Sequence, residues 1–234
     1  MDGHEQTAYD RGVTVFSPDG RLYQVEYARE AVTRGQPVVG VTHGDGVVLA
    51  ANGTRRSPLQ EPDSIEKLHA VDDHVGVATA GHVADARRLV DQARVTAQRE
   101  RLRYGEPMAV EALAKSLADA VQETTQTGGA RPFGAALLVA GVDENGPALY
   151  EVDPSGTPTA WRATAVGGDG TLIDHLETEY ADELDESAAV DTALGAIRES
   201  TEADLSAVNL DIATVTADGY DALSRDERRD AVGS

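Results

Sequence analysis

Cysteine is absent from this chain, long apolar runs are missing, and basic residues are scarce. With no Cys among 234 residues, disulfides, thiol nucleophiles and cysteine-ligated metal sites are excluded. No apolar run approaches the ~20 residues that a membrane-spanning helix needs, and the first residues carry no apolar signal region. We therefore expect a cytoplasmic chain, long enough to bury a sizeable core.

The charge balance is strongly acidic. The chain has 20 basic and 41 acidic residues, a formal charge of −21, and Lys67 and Lys115 are its lysines. Nucleic-acid binding is disfavoured, because a phosphate backbone needs a basic face. An ordinary solvated acidic surface would explain this balance. We prefer adaptation to a salt-rich cytoplasm, where screening over ~3 Å at molar salt tolerates the self-repulsion.

The stretch from Tyr9 to Val32 predicts an arm, a turn and a helix in succession. β-branched residues at 13–15 favour an extended arm, and Ser-Pro-Asp-Gly at 17–20 is typical of a turn. From Arg21 the apolar period changes to three and four residues, which places one apolar face on a helix. The residues of that face are Leu22, Val25, Ala28 or Arg29, and Val32.

The remaining order of elements predicts an α+β fold. Predicted strands cover 38–42, 47–51, 68–71, 75–79, 133–142, 148–152, 159–166 and 210–216. Predicted helices cover 83–103, with Leu102 on its apolar stripe, 106–125, with Pro107 in its first turn, 171–180 and 188–200. Short hairpins between neighbouring strands imply antiparallel sheets. Two such sheets, each covered by a helix pair, make a four-layer α-β-β-α sandwich.

We divide the chain into an N-terminal arm and helix at 1–35, which belong to the same domain, the sandwich at 36–217, and a tail at 218–234. The tail is charged and poor in apolar residues, which predicts a frayed helix or disorder from Ser224 onward.

The residue pattern gives little support for a metal or cofactor site. His69 and His74 flank Asp72 and Asp73, but a zinc site needs three or four convergent ligands, so a polar hairpin tip is favoured. The glycine-rich run at 167–170 precedes a helix and lacks the Lys and Ser/Thr of a phosphate-binding loop, which favours a strand-to-helix turn. We expect no metal and no cofactor.

Several segments together carry a resemblance to a known family. They are 9–32, 63–67, 80–81 with 83–87, 128–134, and 153–156. In these residues the chain resembles the α-subunits of the 20S proteasome, of the archaeal type, and the acidic composition suits an extreme halophile. The resemblance implies the N-terminal-nucleophile hydrolase fold in a non-catalytic subunit of a threonine-type endopeptidase complex. It also implies a heptameric ring, homo- or hetero-oligomeric, that stacks on proteolytic β-subunits in ubiquitin-independent protein degradation.

A catalytic relative, β-type or another N-terminal-nucleophile amidohydrolase, is the alternative. Such an enzyme needs a freed Thr, Ser or Cys whose own α-amine acts as base. Gly53-Thr54 is the candidate step in the first third of the chain, but cleavage there would discard the first helix and hairpin. A ring-forming scaffold without proteolytic partners is a third possibility.

Lys67 has two interpretations. By composition it is a solvated lysine or a partner for Glu66 or Asp63. The resemblance instead implies a pocket between neighbouring subunits where C-terminal tails of an activating AAA ATPase dock, with Lys67 receiving the terminal carboxylate. The matching residues assigned to this activator site are Gly35, Gly81, His82, Leu22 and Arg29. His82 stands where the archaeal relatives carry an apolar residue.

The resemblance also implies a gate. Its residues are Tyr9, Asp10, Arg11, Pro18 and Tyr27, and polar residues 1–8 form the plug. Tyr hydroxyls and a carboxylate hydrogen-bond across a subunit boundary, while proline fixes the turn. Without the family, Tyr9 and Tyr27 are simple anchors for the arm. Thr127 departs from the tyrosine expected to support this cluster. We also expect Arg29 to face Glu26 or Glu30 and to tie helices around the ring.

Adaptation to salt predicts that stability depends on ionic strength. We expect the melting temperature of the purified chain to rise between dilute and molar KCl, because salt screens repulsion among the excess carboxylates. A thermal melt followed by circular dichroism at increasing KCl measures this, and an unchanged melting temperature would contradict the interpretation.

Overall fold

A computed structural model of the chain describes residues 16–18, 20–53, 57, 59–61, 64, 66–127, 130–201 and 205–233. The predictions for the plug at 1–8, for Tyr9, Asp10 and Arg11, for Asp63 and for Thr54 lie outside the described residues.

Ten strands and six helices are present in this described part. The strands are β1 (Val38–His43), β2 (Gly46–Asn52), β3 (Leu68–Asp72), β4 (Val75–Gly81), β5 (Ala135–Asp143), β6 (Gly146–Val152), β7 (Pro158–Trp161), β8 (Ala163–Val166), β9 (Leu210–Thr216) and β10 (Gly219–Ala222). The helices are α1 (Tyr23–Thr33), α2 (Val83–Tyr104), α3 (Val110–Gln126), α4 (Thr171–Glu179), α5 (Glu186–Glu199) and α6 (Arg225–Gly233).

Two five-stranded antiparallel sheets lie face to face. One has the order β10-β9-β2-β1-β8 and the other β3-β4-β5-β6-β7. An apolar cluster that includes Leu49 and Leu138 fills the space between them. Helices α2 and α3 cover the second sheet, and α4 and α5 cover the first. Because both faces of each sheet are covered, β2 is buried along its whole length. The predicted four-layer sandwich is confirmed.

The strand predicted at 159–166 is wrong in one respect, because it divides at Arg162 between the two sheets. β7 pairs with β6, whereas β8 pairs with β1 in the other sheet. The Arg162 carbonyl accepts hydrogen bonds from the Thr42 backbone N–H at 2.7 Å and the Thr42 hydroxyl at 2.8 Å. A run of β-forming residues indicates strand but cannot reveal which sheet pairs with each half.

Helix α3 begins later than predicted. Its first residue is Val110 rather than Glu106, and Pro107 lies before the helix. The Val110 N–H donates to Asp143 Oδ2 at 3.0 Å, so the last residue of β5 caps this end. On α2, Leu102 is 87% exposed and does not belong to the buried stripe.

The C-terminal tail is more ordered than predicted. Residues 219–222 form β10, which pairs with β9, and α6 follows. Leu223, Ala231 and Val232 pack against the core beneath α4 and α5. The tail carries few apolar residues, yet their burial is enough to dock the helix.

Helix α1 closes one end of the second sheet through a close contact between two glycines. Val25, Ala28 and Val32 are buried on its inner face, as the period predicts. A Cβ atom at Gly35 would lie 2.6 Å from the Gly81 backbone nitrogen, and Gly81 itself adopts φ of +96°. This contact brings the end of α1 against the end of β4 and the start of α2.

We expect Gly35→Ala to lower the free energy of unfolding by about 1–3 kcal/mol, because the added methyl group meets rigid backbone. Gly170→Ala is the matched control, since a Cβ atom there meets nothing within 4 Å and its φ of −68° suits any residue. Denaturant unfolding in molar KCl measures both. Equal stability of Gly35→Ala and the unsubstituted chain would contradict the close contact.

Candidate functional site

A cavity of about 1270 Å³ lies where α1, the ends of β3 and β4, the start of α2 and strand β9 converge. Gly35, Lys67, Gly81 and His82 line it together. The structure thus places four residues predicted for activator binding in one cavity, although they span 48 positions of sequence, from 35 to 82. Both sheets contribute, because Asn209 and Asp211 on the opposite side come from around the start of β9.

Lys67 is positioned by the β3–β4 ladder. It directly precedes β3, and its carbonyl accepts a hydrogen bond from the Thr79 N–H at 2.9 Å. Its side chain turns toward the end of α1, where Nζ donates to the Gln36 carbonyl at 2.5 Å. Of the two partners expected from composition, Glu66 instead lies 3.7 Å from His69 Nδ1. Among the described residues, the Gln36 carbonyl is therefore the hydrogen-bond acceptor that fixes the ammonium group.

The Lys67 ammonium lies in a poorly solvated place. Burial lowers the pKa of Lys67 to about 8, and the negative charge of Asp211 opposes part of that shift. The group is thus cationic at neutral pH but weakly solvated. A carboxylate that enters the cavity would supply the counter-charge that water supplies elsewhere.

Asp85 holds the start of α2 in place beside the cavity. Its carboxylate accepts hydrogen bonds from Arg131 at 2.6 and 2.8 Å and from the Gly134 N–H at 2.9 Å. Burial raises the pKa of Asp85, but the bonds from Arg131 and Gly134 outweigh it and leave the pKa below its usual value. The His82 N–H donates to the Gly134 carbonyl at 2.7 Å. The exposed His82 side chain is therefore presented from a fixed backbone.

Among the described residues, the cavity wall carries four cationic and three anionic side chains, on a chain that is acidic overall. Its basic side chains are Arg34, Lys67, Arg87 and Arg88, and its acidic ones are Glu61, Asp91 and Asp211. Arg34 pairs with Glu30 at 2.9 Å, and two of the acids also have other partners, since Asp91 lies 3.8 Å from Arg94 and Asp211 lies 2.7 Å from Arg228. The cavity therefore favours an anionic ligand.

The arginines and Asp211 were missed as site residues by sequence reasoning. Arg87 lies within a segment that carries the family resemblance, which was a usable signal. The sequence around Asp211 gave no such signal, because a strand pattern does not show which residues of the other sheet lie near Asp211.

The other predicted activator residues lie on α1, away from this wall. Leu22 precedes the first turn of α1, and the Arg29 guanidinium donates to Asp153 Oδ2 at 2.7 and 3.1 Å. The expected partners of Arg29 are wrong, since Glu26 pairs with Arg21 and Glu30 pairs with Arg34. Arg29 instead ties α1 to the loop after β6.

Pro18 and Tyr27 are the gate residues that the structure describes. Pro18 lies in a turn closed by hydrogen bonds from the Gly20 N–H to the Ser17 carbonyl at 2.8 Å and from the Ser17 N–H to the Arg21 carbonyl at 2.8 Å. The predicted turn is confirmed. Tyr27 is 45% exposed on α1, so its ring is available to a neighbouring molecule.

The histidines around Asp72 and the glycine run at 167–170 have structural roles. Among the described residues, no group of three or more His, Asp or Glu is placed to hold a metal ion. His74 contacts the Met108 carbonyl at 2.8 Å instead. The glycine run at 167–170 is a strand-to-helix turn, as predicted, and the Gly168 N–H donates to the Gly35 carbonyl at 3.1 Å. This turn supports the cavity from behind.

The two covered antiparallel sheets define the chain as a member of the N-terminal-nucleophile hydrolase fold class. The family model for the proteasome subunit matches residues 32–215, and the model for the N-terminal signature of α-type proteasome subunits matches residues 9–31. The chain belongs to the proteasome subunit family, as an α-type subunit of the 20S core. It is similar to proteins of halophilic archaea that have closely comparable lengths.

Three of these relatives illustrate the similarity. The proteasome α-subunit of Haloquadratum walsbyi is 57% identical over 92% of this chain and 86% of the relative. Proteasome α-subunit 2 of Haloarcula marismortui is 56% identical over 97% and 94%. Proteasome α-subunit 1 of Haloferax volcanii is 54% identical over 95% and 90%. Within the described residues, no helix is long and apolar enough to cross a membrane.

Proposed function

We propose that this chain is a non-catalytic subunit of a cytoplasmic proteasome and forms its heptameric outer ring. The ring stacks on proteolytic β-subunits, controls substrate entry in ubiquitin-independent degradation, and receives the C-terminal tails of an activating AAA ATPase. The observation that carries the proposal is the weakly solvated Lys67 ammonium in a cavity also lined by Gly35, Gly81 and His82.

A terminal carboxylate suits this cavity in charge and size. An ammonium on a flexible stem is a point charge that accepts a carboxylate from several directions, and capture of a C-terminal carboxylate is a recurrent mode of peptide recognition. Gly35 and Gly81 have no side chains, so they add no bulk to the cavity that they line. The arginines of the wall add attraction for an anionic chain end.

The absence of catalysis is supported by the place of the first hairpin. Exposure of Thr54 as an N-terminal nucleophile would remove everything before it, including β1 and β2. These two strands are buried and lie within the first sheet, with β9 on one side and β8 on the other. Their removal would leave two separate edges and open the core, so cleavage before Thr54 is not a workable route to such a nucleophile.

The gate works through the turn that precedes α1. Arg29 fixes the helix to Asp153, so a displacement at the Pro18 turn is passed to the arm rather than to the sheets. Tails open the gate only if they bind the open ring more tightly than the closed one. Tyr9, Asp10, Arg11, Pro18 and Tyr27 support the open arrangement, while Leu22 and Arg29 position the helix that follows.

We expect Lys67→Ala to abolish ATPase stimulation of protein hydrolysis by the assembled particle, while cleavage of short peptides is kept. With Lys67 present, stimulation should decline as the pH rises through about 8, because the ammonium then loses the charge that holds the carboxylate. Lys67→Arg is the control: its guanidinium stays charged, so any stimulation it retains should not decline at that pH. Stimulation of Lys67→Ala at the unsubstituted level would rule out carboxylate capture.

We expect deletion of residues 2–11 to speed hydrolysis of an unfolded protein by the particle without any ATPase, because the plug is removed. Short-peptide cleavage by the same particle is the control for the β-subunit sites. Degradation of a fluorescent, unfolded substrate measures the effect, and unchanged rates would reject the plug.

A further inference from the structure

Helix α6 reaches the back of the Lys67 cavity through a single buried arginine. Arg228 is 12% exposed at its side chain, and its Nη1 lies 2.7 Å from Asp211 Oδ1. The same nitrogen donates to the Leu210 carbonyl at 2.6 Å. Arg228 therefore fixes the start of β9 as well as the Asp211 carboxylate.

Asp211 stands between this arginine and Lys67. It lines the main cavity, and it also lines a second cavity of about 170 Å³ together with Lys67, Tyr220 and Arg228. Its negative charge opposes the lowering of the Lys67 pKa. Burial is the main cause that raises the pKa of Tyr220 to about 12, and the charge of Asp211 is the second cause. Asp211 thus pairs with Arg228 and also attracts the Lys67 ammonium.

An uncompensated carboxylate at this position would harm the capture of a second one. It would attract the Lys67 ammonium and repel an incoming chain end, since both effects act over the short distances of a partly buried site. Arg228 offsets that charge from the side opposite the cavity. Because the pair is partly buried, with side chains 12% and 31% exposed, molar salt screens it less than it screens surface pairs.

We propose that Arg228 is a positioning residue for the Lys67 site: it holds the Asp211 carboxylate against α6 and leaves the Lys67 ammonium to a partner's terminal carboxylate. This inference rests on the proposed function, because it assumes that Lys67 receives such a group. It makes the C-terminal helix, which lies outside the cavity, a determinant of tail affinity. Any event that displaces α6 would weaken tail binding without a change in the cavity lining.

The test compares variants that keep a hydrogen-bond donor for the Leu210 carbonyl but differ in charge. Arg228→Gln is neutral and Arg228→Lys is cationic. The assembled particle is titrated with a labelled peptide that copies the C-terminal tail of an archaeal proteasome-activating ATPase. The same peptide with a C-terminal amide measures binding that does not depend on the carboxylate.

We expect Arg228→Gln to weaken binding of the carboxylate peptide by about tenfold, the size of one partly buried charge interaction, and to leave the amide peptide unaffected. Arg228→Lys should stay within about threefold of the unsubstituted particle. The double variant Arg228→Gln with Asp211→Asn should recover the lost affinity, because it removes the repelling charge along with its partner. A role of Arg228 in anchoring α6 alone predicts no recovery.

The ionisation of Lys67 gives an independent readout. Because Lys67 and Lys115 are the chain's two lysines, ¹³C-methylated amines report each of them separately by NMR. Arg228→Gln should raise the pKa of Lys67 above about 8, since the Asp211 charge then lacks its cationic partner on α6. Lys115, which is exposed and pairs with Glu111 at 2.6 Å, is the internal control and should not change.

The outcomes separate this inference from the proposed function. If Lys67→Ala binds the carboxylate peptide as well as the unsubstituted particle does, carboxylate capture itself fails. If Lys67→Ala loses binding but Arg228→Gln does not, the positioning role alone is overturned. If the particle with Arg228→Gln fails to assemble, Arg228→Lys and the double variant are used for the test. Weak binding of the carboxylate peptide by the double variant then overturns the positioning role of Arg228.

Discussion

Partial burial of one ammonium group is the constraint on which the rest of this site depends. Lys67 loses much of its water at the junction of α1 and the second sheet, and its charge must be stabilised by the groups that remain. The Gln36 carbonyl supplies a direct acceptor at 2.5 Å, and Asp211 supplies a nearby opposite charge. Burial nonetheless lowers the pKa of Lys67 to about 8. The site is therefore prepared for a further anion.

The fold produces this environment through close backbone contacts rather than large side chains. Gly35 and Gly81 let the end of α1, the end of β4 and the start of α2 meet, and the turn at 167–170 supports them from behind. Asp85 then locks the start of α2 to Arg131 and Gly134. Because these contacts involve main-chain atoms, the cavity keeps its shape while its cationic wall determines what enters it.

Local signals in the sequence were sufficient for most elements and insufficient for their long-range contacts. The apolar face of α1 and the hairpin at Gly44-Asp45 follow from neighbouring residues, and both were predictable. The cap of α3 by Asp143, the Arg29–Asp153 pair and the place of Asp211 each depend on residues far along the chain, which no period reveals. Gly35, Lys67, Gly81 and His82 were found through family resemblance, because composition alone favoured a solvated lysine.

The division of one extended run at Arg162 has a mechanical consequence for the whole molecule. Since β7 belongs to one sheet and β8 to the other, a sliding motion of the two sheets would break a ladder on one side or the other. Because β7 and β8 are each the edge strand of their sheet, the chain at Arg162 joins the two sheets along one edge of the sandwich. The pairing of β7 with β6 and of β8 with β1 therefore holds the two sheets in register at that edge.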